Sequence, residues 1–338
     1  FFGSAIVLLN ISNESVVKSV TVFPQEIATR EPSACHGGAQ WCEEADVMFD
    51  IIYNHQHPAD CSKAKFSIVK EWGGGLGSTI TAKTKRLAAA MHAGRVLIIL
   101  PNEGGHPEWS SCPLNSLECF FMPITNCTAK HVTRKNSVRD LQEIDDVPHQ
   151  ARKRGYAKMW WRAIAIKFLM RPNSALQSSR DEYRERMQIK APFMAVHVRR
   201  TDKKSEMQLA DPNRYINHML ALSLETGLRN VMVLTDDPSI LPEFKQYENL
   251  LNFSFHTGVC ARRIRIAPKL AHMKYNCSMN TLGEILFAGE GELFIGTFRS
   301  NFSYLINSIQ RLNGKTTRGG IDVTGLSESC NLPPNCYE

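Results

Sequence analysis

The chain has 338 residues, 43% of them apolar and 22% charged, with 40 Lys and Arg against 33 Asp and Glu, a formal charge of +7. This composition excludes disorder, collagen and coiled coil, and the length predicts two domains of about 150 residues each or one large α/β unit. The modest positive charge permits an anionic ligand and does not call for nucleic acid.

In chain order, Phe1 to Leu9 is nearly all apolar. It is too short to span a bilayer, and reads as the trailing edge of a signal anchor, the anchor itself lost with the N-terminus, or as a buried strand. Residues 11–62 are rich in polar residues, Pro, His and Cys without a sustained period, which predicts an irregular stem segment over 1–62. Order begins at Lys65. A strand is expected over 66–69, a glycine cluster at Trp72 to Gly77, a helix over 79–92 and a continuous apolar strand over 95–100 (RVLIIL). That is a βαβ unit with a buried parallel pair. Residues 103–150 read as a loop-like insertion, 156–170 as a buried helix stopped by Arg171-Pro172, and 181–190 as a second, charged helix. These make a first α/β domain over 63–190.

From Pro192 strands and helices alternate: strand 193–198, helix 213–226, strand 229–235, helix 238–246, strand 251–256, helix 279–289, strand 292–296 and helix 300–312. This pitch predicts a second parallel α/β domain over 191–312, followed by a tail over 313–338 that holds Cys330 and Cys336. The fold class is therefore α/β, with two Rossmann-like, doubly wound domains facing a cleft. Ligands in such sheets bind beyond the carboxyl ends of the strands.

Ten cysteines accompany six N-x-S/T sequons, at Asn10, Asn13, Asn126, Asn252, Asn276 and Asn301. No C-x-x-C pair occurs, so zinc is not expected, and the combination favours structural disulfides in the secretory pathway. Cys260 and Cys277 are the pair to test first.

Four segments carry chemistry. The first is AVHVRRTDKKSEM, Ala195 to Met207, at the end of a strand. Strand alternation puts His197 and Arg199 on one face and Arg200 on the other. An Arg fork suits phosphate oxygens, although a solvated loop reads the same way. The second is VMVLTDDPS, in which Asp237 before Pro238 is expected to cap the next helix and Asp236 is open. The third is ELFIGTFRSN, where Thr297 and Ser300 lie at a strand-to-helix turn suited to an anion. The fourth is WGGGLGST, a cleft loop with Gly73, Gly74, Gly75 and Gly77. It lacks the Lys-Ser/Thr of a P-loop and nearly matches a dinucleotide fingerprint, with Glu103 as a conceivable ribose acid, so a nicotinamide-dependent oxidoreductase is the alternative reading.

HVRRTDK with Glu206 close behind, TDDPS, GTFRSN, the WGGGLGS loop before RVLIIL, and MWWRAIAIKFLMRPN occur in an order that resembles the GDP-fucose-dependent fucosyltransferases, most nearly the α1,6 type that acts on the N-glycan core. The resemblance covers about residues 65–310. It implies a GT-B-like fold, GDP-fucose as donor, an oligosaccharide or glycoprotein acceptor, inversion, no metal or other cofactor, and a Golgi or other secretory lumen reached as a type II membrane protein. Carried over residue by residue, His197 meets the guanosine end, Arg199 binds the β-phosphate with Arg200 in support, and Ser300 faces the diphosphate. Glu284, thirteen residues before Thr297, takes the place of an acid that binds the nucleoside. Asp236 and Asp237 are donor-side or structural rather than metal ligands. Glu206 is the base, oriented by Lys203, with Asp202 its rival. A sugar-nucleotide-binding protein with an impaired base is the remaining alternative.

Overall fold

The computed structural model describes residues 39–70, 75–100, 116–139, 141–144, 147–152, 158–201, 209–257, 274–313 and 320–324, all within one compact unit over Ser33–Glu338. It opens on helix α1 (Ala39–Gln56), where the sequence predicts irregular stem. The helix forms because Ala45, Met48 and Ile52 fall on one face and are buried against helix α4 (Lys158–Leu169). Phe49, Ile51 and Tyr53 are also packed against that cluster, so apolar residues fall on more than one side of the helix and blur its period.

Strand β1 (Phe66–Lys70), helix α2 (Leu76–His92) and strand β2 (Val96–Leu100) form the expected βαβ unit. The region read as insertion supplies a third strand, β3 (Ser137–Arg139), so that a parallel sheet of order β2-β1-β3 results. Three residues of mixed polarity give no periodic signal, and β3 is set by pairing with Phe66 to Ile68. A four-residue helix α3 (His149–Arg152) follows and leads towards α4. Pro172 stops α4 as predicted, and Asn173 immediately caps α5 (Ser174–Met187) by accepting the Leu176 N–H at 3.0 Å. The charged helix therefore starts seven residues before its predicted position at 181 and ends at 187, not 190.

The second sheet has order β6-β5-β4-β7-β8, all parallel: β4 (Met194–Val198), β5 (Asn230–Thr235), β6 (Asn252–Thr257), β7 (Leu293–Gly296) and the two-residue β8 (Ile321–Asp322). Helix α6 (Pro212–Thr226) and the short α7 (Leu241–Lys245) cover one face through Met194, Val196 and Val198. Helices α8 (Lys274–Ala288) and α9 (Asn301–Leu312) cover the other with α5, over Ala195, Met232, Leu234 and Phe294. Both faces being covered explains the unbroken apolar runs of these strands. The chain winds outward from β4 to β6 and then returns to β7 on the far side of β4. The winding thus reverses at the carboxyl ends of β4 and β7, where a ligand crevice opens in such sheets. The first sheet reverses likewise at β1, whose carboxyl end leads into α2.

Candidate active site

The segment leaving β4 is held by one carboxylate. Val198 and Thr235 are register partners, so the next residues, Arg199 and Asp236, leave side by side. Asp236 Oδ1 accepts the Arg200 N–H at 2.8 Å, and Oδ2 accepts the Thr201 N–H at 3.1 Å and the Thr201 hydroxyl. Oδ2 also faces Arg199 Nη1 at 3.4 Å. Asp236 therefore shapes the turn in which both arginines sit. Asp237 does what its sequence predicts: its Oδ1 accepts the Ser239 N–H and hydroxyl at the start of the short turn Pro238–Ile240. Burial would raise the Asp237 carboxyl, yet its bonds to Ser239 and the nearby Arg200 outweigh that and hold it below the usual range.

The two arginines diverge as strand alternation requires. Arg200 reaches Asp237 Oδ2 at 3.3 Å and the Ala210 carbonyl at 3.1 Å. Arg199 turns to the face of His197, and its Cζ lies 5.9 Å from the centroid of Phe302. His197 stacks on the same ring at 6.0 Å. Its Nδ1 is 2.7 Å from the Ser303 hydroxyl, which accepts the Thr297 N–H at 3.2 Å. Burial, with Arg199 adding to it and Asp236 opposing, pushes the His197 pKa down to about 3, so the ring is neutral at any physiological pH. Thr297 is buried and its hydroxyl bonds Tyr215 at 2.7 Å, tying the end of β7 to α6. Burial pushes the Tyr215 phenol up to about 12. Ser300 is buried at the N-cap of α9, where its hydroxyl makes no capping bond.

Glu284 lies on α8 and is buried, with Oε1 2.6 Å from His256 Nε2 at the carboxyl end of β6. Gly75 precedes α2 with open space around it. Gly77 is different: a Cβ there would fall 2.8 Å from Asn301 Cβ and 3.2 Å from the Asn301 carbonyl carbon. This glycine is explained by the approach of α2 to the first turn of α9, with Thr81 Oγ1 3.3 Å from Asn301 Oδ1. The starts of two helices, one from each sheet, thereby meet beside Phe302.

Of the predicted site residues, His197, Arg199, Arg200, Asp236, Asp237, Thr297 and Ser300 gather around the ends of β4, β5 and β7, while Glu284 stands off at the β6 end. Asp202, Lys203, Glu206, Gly73, Gly74, Glu103 and Cys260 lie outside the described residues. Sequence reading misses Phe302, Ser303, Tyr215 and His256. His256 alone had a signal, as a polar side chain closing a predicted strand. No described cysteine is free: Cys61 and Cys127 are bonded to each other, and Cys119 and Cys277 are also in disulfides. Among the described residues no group of three or more His, Cys, Asp or Glu is placed to hold a metal ion, and no helix is long and apolar enough to cross a membrane.

Comparison with known proteins bears on this arrangement. Similar solved structures include POFUT1 in complex with GDP (9% identity, 76% of this chain and 97% of that one, TM-score 0.45). Others are POFUT1 in complex with GDP-fucose (10% identity, 74% and 95%, TM-score 0.44) and the fucosyltransferase NodZ from Bradyrhizobium (13% identity, 72% and 93%, TM-score 0.45). In sequence, residues 145–258 match the family of alpha-(1,6)-fucosyltransferase N- and catalytic domains. The matched span runs through β4, β5 and β6 and holds the Arg199 turn with the carboxylate that shapes it. Over that span, about a third of its length, this α/β chain of two parallel sheets is similar to the fucosyltransferase family.

Proposed function

We propose that the protein transfers fucose from GDP-fucose to a hydroxyl of an oligosaccharide or glycoprotein, with inversion at the anomeric carbon and without a metal, and that the acceptor is the 6-hydroxyl of the N-glycan core GlcNAc. The observation that carries this reading is the family match over residues 145–258, because that span contains the whole arginine motif.

The chemistry needs a base for the acceptor proton and positive charge on the leaving diphosphate. Arg199 supplies the charge. Its side chain is 23% exposed, and its partner Asp236 can keep its backbone bonds to Arg200 and Thr201 while the guanidinium turns to a phosphate. Arg200, moored to Asp237 and the Ala210 carbonyl, keeps a second cation beside it. His197, buried and neutral, carries no charge to the site, and the resemblance puts it at the guanosine end of the donor. Glu206, or in its place Asp202, takes the hydroxyl proton as the acceptor oxygen bonds to C1 of fucose and the C1–O bond to the β-phosphate breaks. GDP departs with both electrons of that bond. The disulfide Cys61–Cys127 and the sequons support passage through the secretory pathway, and a Golgi lumen reached as a type II membrane protein is the setting that the resemblance implies.

Purified protein incubated with GDP-fucose and a panel of glycans, with and without EDTA, tests each part. α1,6-fucosylated core product in both conditions is expected. No transfer and no GDP release would sink the whole reading; another linkage would sink the acceptor, and EDTA sensitivity the metal independence. Arg199→Ala should lower turnover by about a hundredfold, the scale of a lost pair of charged hydrogen bonds.

A further inference from the structure

His197 on β4, Leu234 on β5 and His256 on β6 are successive register partners in a parallel sheet, so all three side chains leave the same face in one row. Two strand spacings separate the histidines, about 10 Å. Arg199 stands two residues beyond His197 on that face. The row thus runs sideways from the phosphate-binding end by about the reach of a nucleoside, and ends at the pair His256–Glu284.

That pair is built into the helices behind it. Gly283 lets α8 approach α5 so closely that its Cβ position lies 3.3 Å from the Ser179 and Arg180 backbone. This fixes the backbone from which Glu284 projects. The His256 ring is packed edge-on against Tyr183 of α5 at 5.3 Å, and Tyr183 in turn against Phe287 of α8 at 5.8 Å. A carboxylate has only lone pairs to offer, so His256 Nε2 carries a proton and donates it to Oε1 at 2.6 Å. The tautomer and the carboxylate rotamer are therefore set together.

The geometry points to His256 as a positioning residue: by holding Oε1 it presents the free edge of the Glu284 carboxylate to the adjacent N1–H and N2–H donors of guanine, and so sets the preference for a guanine nucleotide. This rests on the donor reading above and adds to it the residue that orients base recognition. Adenine places an acceptor where guanine has N1–H and would face the carboxylate unfavourably. Hypoxanthine keeps N1–H and lacks the 2-amino group.

Competition of GDP, IDP and ADP for the donor site, in the full chain and in His256→Ala, His256→Gln and Glu284→Gln, decides it. Wild type should prefer GDP over both. His256→Ala should weaken GDP on the order of tenfold and IDP less, the scale of one mispositioned charged hydrogen bond, with the defect in donor KM rather than kcat. His256→Gln, whose amide nitrogen can stand where Nε2 stands, should recover most of the preference. Equal weakening of all three nucleotides, or an unchanged GDP-to-IDP ratio in His256→Ala, overturns the inference. Should His256→Ala unfold, His256→Gln against Glu284→Gln carries the test: full preference in both would overturn it. A wild type indifferent to the base would instead overturn the donor reading.

Discussion

Asp236 and Asp237 are neighbours in sequence and leave the same strand, yet one shapes the turn after β4 and the other starts the next helical turn. Asp236→Asn replaces one acceptor oxygen by a donor that faces the Thr201 N–H or the Arg200 N–H. The expected cost is about 1–3 kcal/mol of stability, with a fall in turnover of tenfold or more because Arg199 loses its fixed place. Asp237→Ala removes a cap and should cost about 1 kcal/mol while leaving most turnover. Urea denaturation and initial rates on both variants check the contrast; equal effects would remove the distinction.

His197 makes stability sensitive to acid. Its folded pKa is about 3 against 6.5 in an unfolded chain, so below pH 6.5 the unfolded state takes up a proton that the folded state refuses. The stabilising contribution is complete above pH 6.5 and is lost as pH falls towards 3, by up to about 1.4 kcal/mol per pH unit. Denaturation midpoints between pH 4.5 and 7 should show this slope, and His197→Gln should flatten it; an equally steep slope in the variant would acquit this residue. Sequence alone places His197, Arg199 and Arg200 correctly by strand alternation. The clasp by Asp236 is invisible there, because it depends on the register of β4 against β5.

Among elements, the buried strands are the most legible, since a sheet covered on both faces writes continuous apolar runs. Helices are less so: the apolar residues of α1 fall on more than one side and give no clean period, and α5 is started early by an asparagine cap. Within the glycine loop, Gly77 answers to packing between α2 and α9. Gly77→Ala would ordinarily favour a helix by about 1 kcal/mol, but the new Cβ meets backbone and Cβ of Asn301 and should destabilise by about 1–3 kcal/mol net. Gly75→Ala, with open space around it, should stay within about 1 kcal/mol. Thermal midpoints of the two variants measured side by side separate packing from backbone freedom, and equal shifts would reject the packing account.

At the scale of the molecule, the Cys61–Cys127 disulfide closes a span of 66 residues that includes all of β1, α2 and β2. Chain-entropy reasoning gives it about 4 kcal/mol, so the Cys61→Ser, Cys127→Ser double variant should lose that much in urea denaturation; no shift would mean that the unfolded chain is constrained by other means. The sequence suggests two domains, and the sheets are indeed two. Yet one apolar cluster takes Leu76, Ile80, Phe120 and Ile166 from the first half together with Ala195, Met232, Leu282 and Phe294 from the second. A core shared in this way cannot melt on one side and leave the other intact. Loss of structure around either sheet is therefore loss of the strand ends that hold the candidate site, and the rate at which the proposed transferase activity decays on heating should follow the unfolding of the whole unit.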